Sequence, residues 1–244
     1  RAILLASTLA TPAVADVKIW WKDGSPLYVL SERLQKKVQE KVNIPVSLAM
    51  RYGSMTLKKG LQELVDKGCT EIKTIPLYPQ FAMATTETID VKVDELVAAH
   101  FPEVTITRTT AFYHKQDYIK VLAESIGEQL KTLDYEHLLF SYHGVPERHI
   151  RKSDITKSNC KVDGTCCDTP SIAHEFCYSH QCKEVTKLVA KKLKLKNYST
   201  SFQSRLGFDP WLQPYTDRTI ERLGKSGTKR MAIVTPAFVS DCLE

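Results

Sequence analysis

The feature that most constrains the fold is a regular alternation of short apolar segments with amphipathic segments. Residues 44–53, 71–81 and 104–112 have the composition of strands, whereas residues 57–67 and 85–99 between them have the periodicity of helices. Strands that alternate with such helices predict βαβ units and a parallel sheet. We therefore expect an α/β protein. The same criteria predict further helices over residues 28–42, 117–130, 183–193 and 216–224, and further strands over residues 138–140, 198–205 and 230–238.

The sequence contains two segments with the pattern of the same α/β unit. Residues 46–79 run strand, Arg-Tyr-Gly, helix, glycine, strand and proline, and residues 198–236 run strand, Ser-Arg-Leu-Gly, helix, glycine, strand and proline. Two facing copies of one unit would form a cleft between them, and domain junctions are favoured positions for ligand sites. The repeat predicts two similar domains with a binding cleft.

The composition of the chain favours some classes of function and argues against others. Of 244 residues 43% are hydrophobic and 25% charged, as in ordinary soluble globular proteins. The net charge of +6 comes from dispersed lysines, which favours an acidic small ligand or an anionic membrane surface over a nucleic-acid groove. No apolar run approaches the roughly 20 residues of a membrane span. The chain also lacks GxGxxG, GxxxxGK[ST] and GxSxG, the signatures of nucleotide binding and of a serine nucleophile.

One histidine follows a predicted buried strand. Within residues 136–146, EHLLFSYHGVP, the apolar run from Leu138 to Phe140 is typical of a strand covered on both faces. His143 and Gly144 come where that strand reaches its carboxyl end, which is where open α/β sheets bind ligands. This position predicts a functional imidazole; a structural histidine at a strand end is the alternative.

Five of the seven cysteines crowd into 23 residues, Cys160, Cys166, Cys167, Cys177 and Cys182. Nothing else in the sequence indicates a secreted disulfide scaffold, so an iron–sulfur cluster, a zinc site and plain reduced thiols are the alternatives.

Several strand ends together closely resemble one enzyme family, the ferrochelatases, which insert Fe(II) into protoporphyrin IX. The motifs that carry the resemblance span nearly the whole chain: GSPL at 24–27, RYGS at 51–54, LYPQF at 77–81, SYHGVPER at 141–148, TSFQSRLGFDPWLQPYTD at 200–217 and TPAFVSDCLE at 235–244. The resemblance implies the chelatase-like fold. That fold has two similar Rossmann-like α/β domains with parallel four-stranded sheets and a porphyrin cleft between them.

The resemblance also implies domain limits. Residues 1–115 would form the first domain and residues 116–244 the second, with a cysteine-rich insert at 158–182 and a C-terminal end that returns toward the first domain. The family's first strand and glycine-rich turn are expected before Arg1, so the chain is interpreted as a fragment of a longer enzyme. Residues 1–16 are then expected to be an amphipathic or lip segment rather than a signal peptide.

Metallation requires a proton acceptor and a metal ligand, and the resemblance supplies both. His143 matches the family's site histidine, which takes a pyrrole proton or first binds iron, and Glu244 matches the carboxylate opposite it. Which of the two first contacts iron is left open. Gln203, Ser204 and Asp241 are expected to support the site or its turns.

Other matched positions indicate porphyrin contacts. Arg51 is expected to pair with a propionate, since guanidinium binds carboxylate bidentately, and Ser25 and Ser54 to hydrogen-bond a propionate. Tyr78 and Trp211 offer flat surfaces to the macrocycle, with packing in the core as the alternative for both.

Some members of the family carry a [2Fe–2S] cluster on four cysteines. The cluster set chosen here is Cys160, Cys167, Cys177 and Cys182, with Cys166 spare; four-cysteine zinc and unligated thiols are the alternatives.

The resemblance predicts a lyase that forms protohaem in the terminal step of haem biosynthesis, with protoporphyrin IX and ferrous iron as substrates. The alternatives are coproporphyrin as substrate, a cobalt or nickel chelatase acting on another tetrapyrrole, and a haem-binding or iron–sulfur module without turnover. We expect a cytoplasmic enzyme with peripheral association at the inner membrane and no nucleic-acid partner; the oligomeric state is left open.

Overall fold

The predicted alternation of strands and helices is present in both halves of the chain. The structure, a computed structural model, describes residues 1–7 and 20–240. Their contacts divide into two units. Unit 1 contains Arg1–Tyr78, Met83–Thr110 and the described residues from Phe238 on. Unit 2 contains Pro79–Ala82 and Ala111–Ala237.

Unit 1 is built on a four-stranded parallel sheet in the order β2-β1-β3-β4. All five residues of β2 are buried, as expected for a parallel strand covered on both faces. The strands are β1 (Ala2–Ser7), β2 (Val46–Met50), β3 (Glu71–Pro76) and β4 (Thr105–Arg108).

The first strand corrects one expectation. Ala2–Ser7 lies in the centre of the unit 1 sheet and pairs with both β2 and β3. This segment is therefore a strand and not part of an amphipathic or lip segment, whereas the expectation that the family's first strand precedes Arg1 stays a prediction. The strand was missed because its apolar run reads equally well as the core of a leader sequence. Residues 8–16 of that prediction lie outside the described residues.

Among the described residues, three α-helices accompany the unit 1 sheet: α1 (Pro26–Gln39), α2 (Leu57–Asp66) and α3 (Thr88–His100). The Thr56 hydroxyl caps α2 by accepting the backbone N–H of Lys59. Gly68, with φ of 75°, follows the helix in the left-handed region, where glycine is favoured. Leu57, Leu61 and Leu64 project from α2 into the core beside β1.

Unit 2 is built on a parallel sheet in the order β6-β5-β7. It has three strands among the described residues, where the resemblance implied four. Leu138, Leu139 and Phe140 of the central strand are at most 1% exposed, which confirms the predicted buried strand. The strands are β5 (His137–His143), β6 (Tyr198–Gln203) and β7 (Met231–Val234).

Four helices accompany this sheet: α4 (Gln116–Leu130), α5 (Glu147–Ser153), α6 (Tyr178–Leu193) and α7 (Thr216–Lys225). The sequence did not predict α5, because this helix is too short to establish a helical period. The predicted start of α6, residue 183, is too late because the buried face of the first turns carries Tyr178, Gln181 and Cys182 rather than aliphatic residues. Within the described ranges, none of the helices combines the length and apolar character of a membrane span.

Candidate active site

His143 is the last residue of β5, the central strand of the unit 2 sheet, and is half-buried. Its Nδ1 lies 2.6 Å from the carbonyl oxygen of Gly144, and its own carbonyl accepts a 2.8 Å hydrogen bond from the Tyr178 hydroxyl. Since a carbonyl can only accept, Nδ1 carries the proton in this arrangement. Nε2 is therefore the basic nitrogen of the neutral ring, as a proton acceptor or a metal ligand requires.

Gly144, the residue after His143, allows two neighbours to approach its backbone closely. Its N–H donates to the carbonyl of Gln203 at 2.8 Å. A Cβ on this residue would lie 2.9 Å from that carbonyl oxygen, closer than side chains tolerate, and 3.3 Å from Cε3 of Trp211, which would have to move slightly. Only glycine fits without a shift of either neighbour.

Trp211 lies beside the His143 imidazole. Their ring centroids are 6.4 Å apart with the planes tilted by 50°, and the Trp211 Nε1–H donates to the carbonyl of Leu206 at 2.9 Å. Trp211 is half-buried. The structure thus brings together two residues that the sequence analysis assigned to one site.

Hydroxyl and amide groups form a hydrogen-bond network at this edge of the sheet. The Ser141 hydroxyl donates to Oε1 of Gln203 at 2.5 Å and lies 2.8 Å from the Thr216 hydroxyl. The Thr216 hydroxyl is also 2.9 Å from that of Ser201. These bonds join β5, β6 and the first residue of α7. Ser204 then takes a left-handed φ of 64° and turns the chain away from β6.

A cavity of about 480 Å³ lies next to this network. It is lined by a charged pair, Arg205 and Asp217, that was not predicted from the sequence. Arg205 forms two hydrogen bonds to the Asp217 carboxylate, at 2.8 and 2.9 Å, and its guanidinium lies over the Tyr215 ring. The hydrogen bond from Arg205 lowers the pKa of Asp217 to about 2. Both residues lie in a motif quoted for the resemblance, but their separation along the chain carries no signal of pairing. The cavity is lined by Phe202, Gln203, Ser204, Arg205, Thr216, Asp217 and Ile220.

The three predicted propionate contacts lie in unit 1. Arg51 follows β2, where its Nε donates to the backbone carbonyl and the hydroxyl of Thr88, both at 3.2 Å. Ser25 caps α1, with its hydroxyl accepting the N–H of Tyr28 at 3.3 Å. Ser54 is exposed in the loop after β2.

Tyr78 belongs to the core of unit 1. It is 4% exposed, its hydroxyl lies 3.1 Å from the Ser7 hydroxyl, and its ring packs edge-on against Phe238. The structure shows the core packing that was the alternative for Tyr78, and a contact of its ring with a macrocycle stays a prediction.

Thiols of the cysteine-rich segment shift the pKa of one another. The Cys160 thiol is hydrogen-bonded to Cys166, and burial raises the pKa of Cys160 to about 11. The Cys177 thiol donates to Cys167, which lowers the pKa of Cys167 to about 6 and raises that of Cys177. Cys166 is also hydrogen-bonded to Cys167.

Cys182, a member of the chosen cluster set, is placed differently from the other four. It is fully buried, and its hydrogen-bond partner is the Tyr178 hydroxyl rather than a sulfur. Within residues 1–7 and 20–240, no three His, Cys, Asp or Glu side chains are grouped so that they could hold one metal ion. Among the described residues, the thiols therefore do not form a preformed metal site.

Glu244 and Asp241 lie outside the described residues, so both stay predictions.

The fold and the site define a class of protein. This is a parallel α/β protein whose candidate site, an imidazole beside an indole, stands at the carboxyl end of a central strand, where such sheets bind ligands.

Comparison with known proteins specifies the family. The ferrochelatase family model matches residues 3–244. The ferrochelatase of Opitutus terrae is 42% identical over 236 residues, covering 95% of this chain and 68% of that protein. That of Pseudomonas fluorescens is 41% identical, with 95% and 69% covered, and that of Pseudomonas paraeruginosa 39% identical, with 99% and 72% covered. The chain belongs to the ferrochelatase family.

Proposed function

We propose that this chain inserts ferrous iron into protoporphyrin IX and forms protohaem, the terminal step of haem biosynthesis. The single structural observation that carries the proposal is His143, with its basic Nε2, at the carboxyl end of β5 beside Trp211. Family membership supports iron and protoporphyrin over coproporphyrin and over cobalt or nickel with another tetrapyrrole.

His143 performs the proton chemistry in this proposal. Two pyrrole N–H protons must leave the macrocycle, and a neutral imidazole near pH 7 accepts a proton from nitrogen. The hydrogen bond from Nδ1 to the Gly144 carbonyl orients the ring and stabilises the imidazolium that forms. The same Nε2 is suited to ligate ferrous iron, so His143 serves as proton acceptor or as first iron ligand.

Glu244 is proposed as the carboxylate on the metal side. Ferrous iron arrives hydrated, and a carboxylate holds such an ion while it exchanges water for the pyrrole nitrogens. Replacement by glutamine keeps the size of the side chain and removes its charge. We expect Glu244→Gln to raise the KM for iron more than that for porphyrin, measured by steady-state kinetics with each substrate varied.

Porphyrin binding is assigned to Arg51, Ser25, Ser54 and Trp211. The present partners of Arg51 Nε are neutral oxygens at 3.2 Å, and a propionate would offer it a charge-assisted, shorter bond. Trp211 supplies the flat apolar surface next to the imidazole. Tyr78 also belongs to the predicted set, with its ring packed in the core of unit 1.

Three wider predictions accompany this assignment. We propose residues 1–115 and 116–244 as domain limits, with the C-terminal end returning to the first domain. We also propose a cytoplasmic enzyme in peripheral contact with the inner membrane, because protoporphyrin is poorly soluble in water.

Finally, we propose a [2Fe–2S] cluster on the cysteine-rich segment, where it would supply a redox-sensitive cross-link. The ligand set chosen from the sequence, Cys160, Cys167, Cys177 and Cys182, stays a prediction.

The decisive experiment compares His143→Ala with His100→Ala, a change at the exposed end of α3. Loss of the general base is expected to lower kcat for iron insertion by about 10²-fold or more. Binding of protoporphyrin, measured by fluorescence quenching, should change little. His100→Ala should keep both properties. A His143→Ala protein that inserts iron at the rate of the unmodified chain would overturn the role of His143.

A further inference from the structure

We propose that Tyr178, the first residue of α6, is a positioning residue for iron insertion: its hydroxyl holds the peptide group that follows His143 and so fixes the orientation and the tautomer of the imidazole. This inference rests on the proposed role of His143 as proton acceptor or iron ligand, and it identifies what holds that ring in place.

The peptide group between His143 and Gly144 is held at both of its polar ends. Its carbonyl oxygen accepts the Tyr178 hydroxyl at 2.8 Å, and its N–H donates to the Gln203 carbonyl at 2.8 Å. A trans peptide group is planar, and its C=O and N–H point to opposite sides of the chain. Two hydrogen bonds in opposite directions therefore resist rotation of this group about the chain.

Tyr178 supplies a hydrogen bond where the ladder on one side of β5 has ended. Because the Gly144 N–H is directed to β6, the His143 carbonyl is directed away from that strand. On the other side of β5, the register with β7 ends at Phe140. The Tyr178 hydroxyl donates to the carbonyl beyond that point, and since this tyrosine is only 7% exposed, water competes little for the bond.

The position of this peptide group determines which nitrogen of the ring carries the proton. Nδ1 of His143 donates to the carbonyl of Gly144, the next carbonyl along the chain, at 2.6 Å. A rotation of the preceding peptide group would carry that acceptor away from the ring. A neutral imidazole without an acceptor at Nδ1 is free to place its proton on Nε2, and a protonated Nε2 can neither accept a pyrrole proton nor bind iron. The Tyr178 hydroxyl thus keeps Nε2 basic through two consecutive carbonyl groups.

The beginning of α6 is itself held in place by a buried amide. The Gln181 side chain is fully buried, and its Nε2 donates to the carbonyls of His174 and Glu175 at 3.1 and 2.8 Å. Its Oε1 accepts the backbone N–H of Phe81 at 2.7 Å. These bonds tie the first turn of α6 to the chain around it. Tyr178, in the same turn, therefore presents its hydroxyl from a fixed position.

Tyr142 offers a matched control. It is fully buried in β5, and its hydroxyl lies 3.0 Å from that of Thr186 in α6. Tyr142 and Tyr178 thus both join α6 to β5 by one buried hydroxyl, but the bond of Tyr142 ends on a side chain and not on the peptide group after His143. Removal of either hydroxyl should cost similar stability, whereas only one removal should affect the imidazole.

The test compares Tyr178→Phe with Tyr142→Phe in the chain labelled with nitrogen-15 histidine. Long-range proton–nitrogen correlation spectra at about pH 8, where an ordinary imidazole is neutral, report which ring nitrogen carries the proton. The signals of His143 are those that His143→Ala lacks. We expect a protonated Nδ1 in the unmodified chain and in Tyr142→Phe, and a mixture that includes protonated Nε2 in Tyr178→Phe.

Steady-state kinetics of iron insertion are measured on the same proteins. We expect Tyr178→Phe to lower kcat about fivefold or more and to leave the KM for protoporphyrin unchanged, because a misplaced catalytic group slows the chemical step rather than binding. Tyr142→Phe should keep the kcat of the unmodified chain. Far-ultraviolet circular dichroism checks that both variants are folded.

A Tyr178→Phe protein with either the His143 tautomer or the kcat of the unmodified chain would overturn the role of Tyr178, as would equal losses of kcat in both variants. A protonated Nε2 of His143 in the unmodified chain would overturn it as well, and this result requires no variant to fold. An unmodified chain that does not insert iron would overturn the proposed function. The tautomer comparison would then still decide whether Tyr178 holds the ring.

Discussion

At the scale of single residues, the candidate site depends on the absence of one side chain. The Gly144 backbone has no positive φ, so it is space rather than backbone conformation that requires glycine. The Gln203 carbonyl and the Trp211 ring both occupy the volume that a Cβ would need. Glycine at this position therefore sets how closely the indole approaches the strand that ends in His143.

We expect Gly144→Ala to destabilise the protein by about 1–3 kcal/mol, the usual cost of inserting a methyl group into a packed site. The displaced Trp211 should also lower the rate of iron insertion. The matched control is Gly224→Ala in α7, where nothing lies within 4 Å of the new Cβ and alanine favours the helix. Urea denaturation and the metallation assay measure both effects. Equal stability of the two variants would contradict the close approach at Gly144.

At the scale of elements, the pairing of β5 with β6 places His143 opposite Gln203 and, at the other end, brings His137 to Ser199. His137 Nε2 lies 2.9 Å from the Ser199 hydroxyl. Burial, together with the nearby Arg222, holds the pKa of His137 below its ordinary value of 6.5. The lowered pKa favours the neutral form of the His137 imidazole, which lies at the end of the strand pair remote from His143.

The lowered pKa of His137 makes this pair sensitive to acid. The unfolded chain binds the proton more readily, so the contribution to stability is complete above pH 6.5 and is lost as the pH falls below that value. We expect the free energy of unfolding to decrease between pH 7.5 and pH 5.5, and the decrease to be smaller in His137→Gln. His100→Gln, at the exposed end of α3, is the control. An identical pH dependence in all three proteins would show that His137 does not contribute.

At the scale of the whole molecule, binding should be visible as stabilisation of the folded chain. A ligand that binds only the folded state adds about 2.7 kcal/mol at a concentration of 100 Kd. For a chain of this size, that corresponds to a rise in Tm of about 5–10 °C. Because metallation and binding are separate steps, a protein that cannot metallate can still show the full rise.

We therefore expect protoporphyrin to raise the Tm of the unmodified chain and of His143→Ala by similar amounts. Arg51→Ala should show a smaller rise, since its guanidinium is assigned to a propionate. Arg218→Ala, whose side chain is 70% exposed on α7, is the matched control. Differential scanning calorimetry with and without protoporphyrin measures these shifts. A full shift in Arg51→Ala would remove that residue from the porphyrin site.

The sequence was sufficient wherever a local pattern carries the information. The apolar run from Leu138 to Phe140 predicted the buried central strand, and the caps and periodicity of residues 57–67 predicted α2 nearly to its ends. Motifs at several strand ends predicted the family and the position of His143. Each of these depends on neighbours in the chain, whose chemistry a sequence displays directly.

Only the tertiary structure decided the contacts between distant residues. It made Ala2–Ser7 a central strand, placed Tyr78 against Ser7 and Phe238 in the core, and brought Trp211 to His143. It also joined Cys160 to Cys166 and Cys167 to Cys177 while burying Cys182 beside Tyr178. Packing chooses among apolar and thiol side chains that look alike in sequence, because burial and sulfur contacts depend on where the folded backbone brings each residue.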